Sequence, residues 1–310
     1  MVEFGLQVGQ HGYTYEQLKV YALKSERVGL DSFHVYDHFY GPLGSSDPDL
    51  KPLHEAWMVM AALSEVTKKV RLGTLVNCVL YRYPSMLAKQ GASFDVISDG
   101  RLDFFVGAGW YEHEFTAFGI PFPSAGVRIK MLAEAIQIIR QMWTEEKPSF
   151  EGSYYTLKEA INEPKPIQKP HPPIWVGGWG PKVLKIAVQY GEGHNLGWTS
   201  FEEYKQKSAL LDQYCDELGK KTQDFKRSFA TSLWIGKDLE ALEKKWKVYQ
   251  PTARRDRSAV TFGTPEEVAE QLGRFIDETG VSYFLVNRPG PLTFEESIQY
   301  FCEEAIPLLK

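Results

Sequence analysis

The chain is poor in several features that would point to a function at once. Its 310 residues include three cysteines, Cys78, Cys215 and Cys302, far apart in sequence. An odd number at such spacing builds neither a disulfide framework nor a C-x-x-C metal site, and it suits a reducing compartment such as the cytoplasm. His34 and His38 are four apart, but on a strand and loop rather than a helix face, so no metal site is expected. The 35 lysines and arginines are outnumbered by 40 aspartates and glutamates, and no basic run occurs, which argues against a nucleic-acid partner. No apolar run approaches the length that spans a bilayer, so no membrane association is expected. The opening MVEFGLQV reads as a strand and lacks the regions of a secretory leader, which adds to the expectation of a cytoplasmic protein. There is no G-x-S-x-G elbow, and no G-x-G-x-x-G opens a helix after the first strand.

Strand-like and helix-like segments alternate along the chain. Strands are expected at Val2–Val8, Ser32–Tyr36, Val70–Val79, Arg101–Val106, Ile174–Val176, Gly193–Leu196, Phe229–Ile235 and Tyr283–Val286. Helices are expected between them, among them Tyr15–Val28, which stops at Gly29, His54–Lys68, Pro84–Ile97 and Ser124–Trp143. Later helices are expected at Pro181–Tyr190, Phe201–Leu218, Leu239–Tyr249, Pro265–Thr279 and Phe294–Leu309. Eight strands each followed by helix predict an α/β fold, a single (β/α)8 TIM barrel over residues 1–310. An open doubly wound sheet is the competing layout. The rhythm breaks after the fourth helix, where residues 146–173 hold six prolines; an insertion with a short hairpin near Phe150–Thr156 is expected.

In such a barrel, ligand chemistry gathers at the C-terminal ends of the strands. Those ends read Gln7 with Gln10-His11-Gly12, Asp37-His38-Phe39, Asn77-Cys78 with Tyr81-Arg82-Tyr83-Pro84, and Gly107-Ala108-Gly109-Trp110. They continue with Gly177-Gly178-Trp179-Gly180, Asn195-Leu196-Gly197-Trp198-Thr199 and Asn287-Arg288-Pro289-Gly290. Gly177–Gly180, with Pro181 at the first helical turn, suits an anion such as phosphate at a helix N-terminus, or is simply a tight turn. Asp37 beside His38 can hold a tautomer, bind substrate or relay a proton, or form only loop contacts. Glu112, Glu114 and Asp37 could in principle supply a glycosidase acid pair, but nothing in the sequence fixes their separation.

With these ends in view, the chain resembles the luciferase-like monooxygenase superfamily, in particular its branch dependent on the deazaflavin coenzyme F420. The resemblance is carried by VYDHF (Val35–Phe39), by LGTLVNCVLYRYPSMLAKQGASFDVISDGRLDFFVGAGW (Leu72–Trp110) and by IWVGGWG (Ile174–Gly180). It implies a homodimeric barrel with a flavin or deazaflavin at the mouth, over a non-proline cis peptide that would here be Leu75–Val76. It also implies cofactor contacts from Asp37, His38, Leu75, Val76, Asn77, Cys78, Gly107, Gly109, Trp110, Gly177 and Gly178. His38 would stand near the site of hydride transfer. The sequence departs from the sugar-phosphate dehydrogenases of that branch, which place a glutamate directly after G-x-G, where this chain has Trp110. The acid or base must then come from His38, Glu55, Glu114 or His11; Glu55 is equally read as a charge at a helix start. Arg82 is read as pairing with an acid near the mouth or as purely structural.

The expected function is an F420-dependent oxidoreductase that moves a hydride between the ring and a small organic substrate. The alternatives are an FMN-dependent monooxygenase of the same fold and a non-catalytic flavin-binding protein. Substrate contacts are expected from Phe39–Pro52 and from the insertion, which could act as a lid.

Overall fold

The computed structural model describes residues 2–41, 50–249, 257–287 and 294–309. The strands are β1 (Glu3–Gln7), β2 (Ser32–Val35), β3 (Arg71–Thr74), β4 (Asn77–Cys78), β5 (Leu102–Gly107), β6 (Phe150–Glu151), β7 (Thr156–Leu157), β8 (Ile174–Gly177), β9 (Gly193–Gly197), β10 (Lys226–Ile235), β11 (Val260–Gly263) and β12 (Tyr283–Asn287). The helices are α1 (Tyr15–Arg27), α2 (Ala56–Val66), α3 (Pro84–Ile97), α4 (Glu112–Ala117), α5 (Ala125–Thr144), α6 (Pro181–Tyr190), α7 (Phe201–Glu217), α8 (Leu239–Tyr249), α9 (Pro265–Thr279) and α10 (Phe294–Tyr300).

Parallel pairing runs β1–β2–β3–β5–β8–β9–β10–β12 and returns to β1, so eight strands close into the expected barrel. Period-two alternation divides the side chains between two cores. Phe4, Leu6, Phe33, Leu72 and Val106 belong to the outer core under the helices. Leu75, Phe105, Trp175, Ala230, Tyr283 and Leu285 plug the interior, with Phe105 stacked on Trp175 at 5.2 Å.

Below this plug, toward the N-terminal ends of the strands, lies a buried polar cluster. Asp103 Oδ1 accepts from Arg71 Nε at 2.7 Å; its Oδ2 accepts from the Tyr283 hydroxyl at 2.6 Å and meets His34 Nε2 at 3.2 Å. Burial pushes the Asp103 carboxyl up, but the Arg71 charge and the bonds from His34 and Tyr283 more than offset it and hold the group ionised, well below the usual carboxylate range.

Four local features differ from the sequence reading. The third strand, expected unbroken over Val70–Val79, is interrupted: β3 ends at Thr74 and β4 resumes at Asn77, and between them the Leu75–Val76 peptide is cis as the resemblance implied. β11 is an added strand, paired in parallel with the far end of the ten-residue β10. α4 is only six residues long, below the span where helical periodicity can be read. The last helix loosens into a wide turn over Phe301–Ala305, just before Pro307, which has no amide hydrogen to continue it. After α5 the 146–173 stretch carries the β6–β7 hairpin, antiparallel, with Phe150 opposite Leu157.

Candidate functional site

The rim above β2, β4 and β5 is organised by two carboxylates. Asp37, just past β2, is buried. It accepts the Cys78 amide at 2.9 Å and a two-pronged contact from Arg82, Nη1 to Oδ2 and Nη2 to Oδ1, both at 2.8 Å. Arg82 Nη2 also reaches Glu55 Oε1 at 2.6 Å. Burial acts to lower the Arg82 pKa, but the bonds and charges of Asp37 and Glu55 outweigh it and raise it, so the fork stays charged. Glu55 is the N-cap of α2 and accepts the Met58 amide at 2.8 Å. Its carboxylate is therefore engaged twice, as a cap and as the second anchor of Arg82.

The other carboxylate is Glu114. The chain leaves β5 through Gly107-Ala108-Gly109, and Gly109 has φ +72°. A Cβ there would stand 2.7 Å from Phe115 Cζ and 2.8 Å from Cys78 Sγ. Glycine thus lets Phe115 pack against β4, and α4 carries Glu114 inward beside it. Glu114 is fully buried. Oε1 accepts the amides of Phe39 (2.7 Å) and Tyr40 (3.3 Å); Oε2 accepts the Tyr81 hydroxyl and meets His38 Nδ1, both at 2.6 Å. Burial raises the Glu114 pKa, but the bonds from His38, Tyr81 and the Phe39 amide more than compensate, so it lies below the usual value. An ionised Glu114 requires the hydrogen of His38 on Nδ1. Nε2 then has no protein partner among the described residues, and the imidazole side chain keeps 15% of its surface open. Trp110, 57% exposed, packs edge-on against the His38 ring at 5.9 Å.

The middle of the mouth is shaped by the cis bond. The Val76 side chain sits between β5 and β8: a Cβ at Gly107 would lie 2.8 Å from Val76 Cγ2, and one at Gly177 2.9 Å from Cγ1. These glycines give room first to Val76 rather than to bare backbone. Asn77 turns into the wall, accepting from Trp57 Nε1 (3.0 Å) and donating to the Phe105 carbonyl (2.8 Å). Cys78 is buried, and burial pushes its thiol well up, so it is no nucleophile.

On the β8 side, Gly178 (φ +150°) packs its backbone on Val183, and its carbonyl accepts from His194 Nε2 at 2.8 Å. Burial lowers the His194 pKa to about 4, so this histidine is a neutral prop under the glycine loop. α6 starts at Gly180 with no side-chain cap and Pro181 in its first turn; Lys182 is exposed beside it, and the space around the Gly180 Cβ position is open.

The structure therefore brings Asp37, His38, Leu75, Val76, Cys78, Gly107, Gly109, Trp110 and Glu114 together, with Gly177 and Gly178 beside them. It turns Asn77 aside, and it ties Glu55 to a cap and to Arg82. His11 lies against Gly41. Residues 42–49 of the Phe39–Pro52 loop and Arg288–Gly290 lie outside the described residues. The Tyr81 hydroxyl and His194 were not singled out from the sequence. Their partners are 33 and 16 residues away, and only closure of the barrel brings them in. A separate groove of about 370 Å³ along α9 and Leu308–Leu309 is lined by Glu266, Glu270 and Asp277, and it has no part in the mouth. Among the described residues no helix is long and apolar enough to cross a membrane.

Comparison with known proteins finds a family and full-length relatives. The model of the luciferase-like monooxygenase family matches residues 1–257. An F420-dependent glucose-6-phosphate dehydrogenase of Amycolatopsis mediterranei (strain U-32) is 28% identical, over 100% of this chain and 99% of its own length. An FMNH2-dependent dimethylsulfone monooxygenase of Pseudomonas putida is 25% identical over 83% of this chain and 79% of its own. Among solved structures, an F420-dependent secondary alcohol dehydrogenase, in complex with an F420–acetone adduct, superposes with a TM-score of 0.86. It covers 100% of this chain and 99% of its own at 23% identity, a likeness of fold.

Proposed function

From the premise that this chain belongs to the luciferase-like monooxygenase family, we propose that it is an F420-dependent oxidoreductase acting on a small organic substrate. The observation that carries this reading is the His38–Glu114 pair. One ring nitrogen of the histidine is held by a buried carboxylate, and the other, beside an exposed tryptophan at the mouth, has no partner among the described residues. The full-length likeness to F420-dependent dehydrogenases supports it.

The mouth suits a flat ring with a phosphate-bearing tail. Val76 and Trp110 offer apolar faces, and the uncapped start of α6, with Lys182 nearby, suits an anion. When bound, the deazaflavin supplies a ring carbon that gives or receives a hydride. The chain handles the proton. Glu114 keeps the hydrogen on Nδ1, so Nε2 carries the lone pair and takes the proton of a substrate hydroxyl as the carbon–oxygen double bond forms. In the reverse direction the protonated ring returns it. Glu114 and Tyr81 are positioning residues here, and Asp37 with Arg82 stiffens the strand end from which His38 projects.

The second reading is a flavin monooxygenase, favoured by the likeness to the Pseudomonas putida enzyme. Fluorescence titration with oxidised F420 and with FMN separates the two. Micromolar or tighter F420 binding with weak FMN binding is expected; the reverse moves the chain to the oxygen-using flavin enzymes.

A homodimer belongs to the same proposal. The adjacent helices α2 and α3 expose Met58 (66%), Met86 (57%) and Ile97 (58%), apolar side chains suited to a second copy. Light scattering on the wild type and on a Met58→Lys, Met86→Lys double variant tests it: a dimer that the variant splits supports it, and a wild-type monomer refutes it.

A further inference from the structure

The floor of the mouth, between β12, β1 and β2, holds polar side chains that the rim does not use. Alternation along β1 puts Phe4 and Leu6 in the outer core, so Gln7 faces the barrel interior. Gln7 is 1% exposed, and neither its Oε1 nor its Nε2 has a partner among the described residues. Its neighbours across the ladder are His34 on one side and Asn287 on the other. His34 is fully buried; its Nε2 is committed to Asp103 and Tyr283, and its Nδ1 is unpartnered. Asn287 Oδ1 is unpartnered as well. Two adjacent strands, β12 and β1, thus turn unsatisfied polar atoms into the interior above the apolar Leu285 of the plug, with His34 of the buried cluster as the ladder neighbour of Gln7. The rim is the opposite case, because every oxygen of Asp37 and Glu114 is occupied there.

A buried carboxamide with both ends free is destabilising unless something else completes it. We infer that Gln7, with Asn287 beside it, binds the hydrogen-bonding edge of the ring cofactor, where an N–H stands next to a C=O. This rests on the function proposed above. A carboxamide presents one donor and one acceptor side by side, the complement of such an edge. Among the described residues, Arg71 of the buried cluster is committed to Asp103. The Gln7 site lies below His38, where the proton is handled, and so serves the ring rather than the reacting group of the substrate.

Flavin and deazaflavin share this edge, so the test uses both. Binding of oxidised F420, FMN and phosphate-free riboflavin is measured by fluorescence for the wild type, Gln7→Met and Asn287→Leu. Methionine keeps the length of glutamine without its hydrogen bonds. Gln7→Met should weaken whichever phosphorylated ring the wild type prefers by about 10-fold or more, the effect of one to two lost hydrogen bonds. Where riboflavin binds, it should lose affinity by the same factor, because the loss is at the ring and not at the tail. The ligand-free Gln7→Met protein should melt no lower than the wild type. Asn287→Leu gives a smaller loss of the same kind and carries the test if Gln7→Met does not fold. Unchanged affinity in both variants, with a wild type that binds, overturns this inference alone. A wild type that binds neither F420 nor FMN overturns the proposed function, and this inference with it.

Discussion

Both ends of the barrel contain a histidine bonded to a buried carboxylate, yet the two pairs are built for different ends. At the base, His34 has no exposed surface, and Asp103 is further held by Arg71 and Tyr283. At the mouth, Glu114 is just as saturated, but His38 keeps an open face and an Nε2 with no partner among the described residues. The same pair of residue types therefore stabilises in one place and can act in the other. Access decides between them, and access follows from which end of a strand the histidine occupies: His34 lies within β2, and His38 lies three residues beyond its end.

The comparison can be broken by substitution at either end. The largest effect is expected at the mouth. His38→Gln should cut F420-linked turnover by about 10²–10⁴-fold, the usual worth of a general acid or base, with a much smaller loss of stability than at the base. Comparable loss of stability there would make His38 a second His34. At the base, Asp103→Asn leaves Arg71 without its anion. It should lower unfolding free energy by ~3–5 kcal/mol in urea titration, while the folded fraction still binds cofactor normally.

A third histidine sharpens the distinction. His194 is buried like His34, but its hydrogen-bond partner among the described residues is a backbone carbonyl. Its folded pKa, about 4, lies below the 6.5 of an unperturbed imidazole, so between these values the unfolded chain binds the extra proton. Its contribution is thus present above pH 6.5 and is lost as pH falls toward 4, by ~3 kcal/mol at most. A His194→Gln variant should show a flatter stability profile across that window. The smallest effect is expected from Tyr81→Phe, which removes one of four contacts to Glu114. Turnover should fall about 3–10-fold with little change in KM, the worth of about one typical hydrogen bond, because the loss acts on His38 only through Glu114. The Glu114 carboxyl, depressed when folded, contributes stability above pH 4.5 that is lost as pH falls through its lower folded value. Tyr81→Phe should shift that loss to slightly higher pH.

The fold was readable because eight short apolar runs, each followed by a helical period, leave few other ways to bury them. The rim was readable in part. Asp37-His38 and the glycines stand at strand ends, and those positions alone mark them. The expected pairing of Arg82 with an acid is met by Asp37 and Glu55. Glu114 was a bare candidate, and its bond to His38 spans 76 residues that only the closed barrel brings together. The roles of Gly107 and Gly177 were not readable, because what fills their space is the side chain of Val76, placed by a peptide geometry that spacing does not encode. Gln7 was noted as a strand end and no more, since an unpartnered amide looks like any other in a sequence.

The notch around Val76 also constrains how this chain can diverge. Val76, Gly107 and Gly177 come from three separate segments, yet a methyl group added at either glycine would fall within 3 Å of the valine. The three positions are sterically coupled. Among descendants of this barrel, a side chain at 107 or 177 should arise only together with a smaller residue at 76, so the mouth changes shape by coordinated steps rather than by drift at single sites.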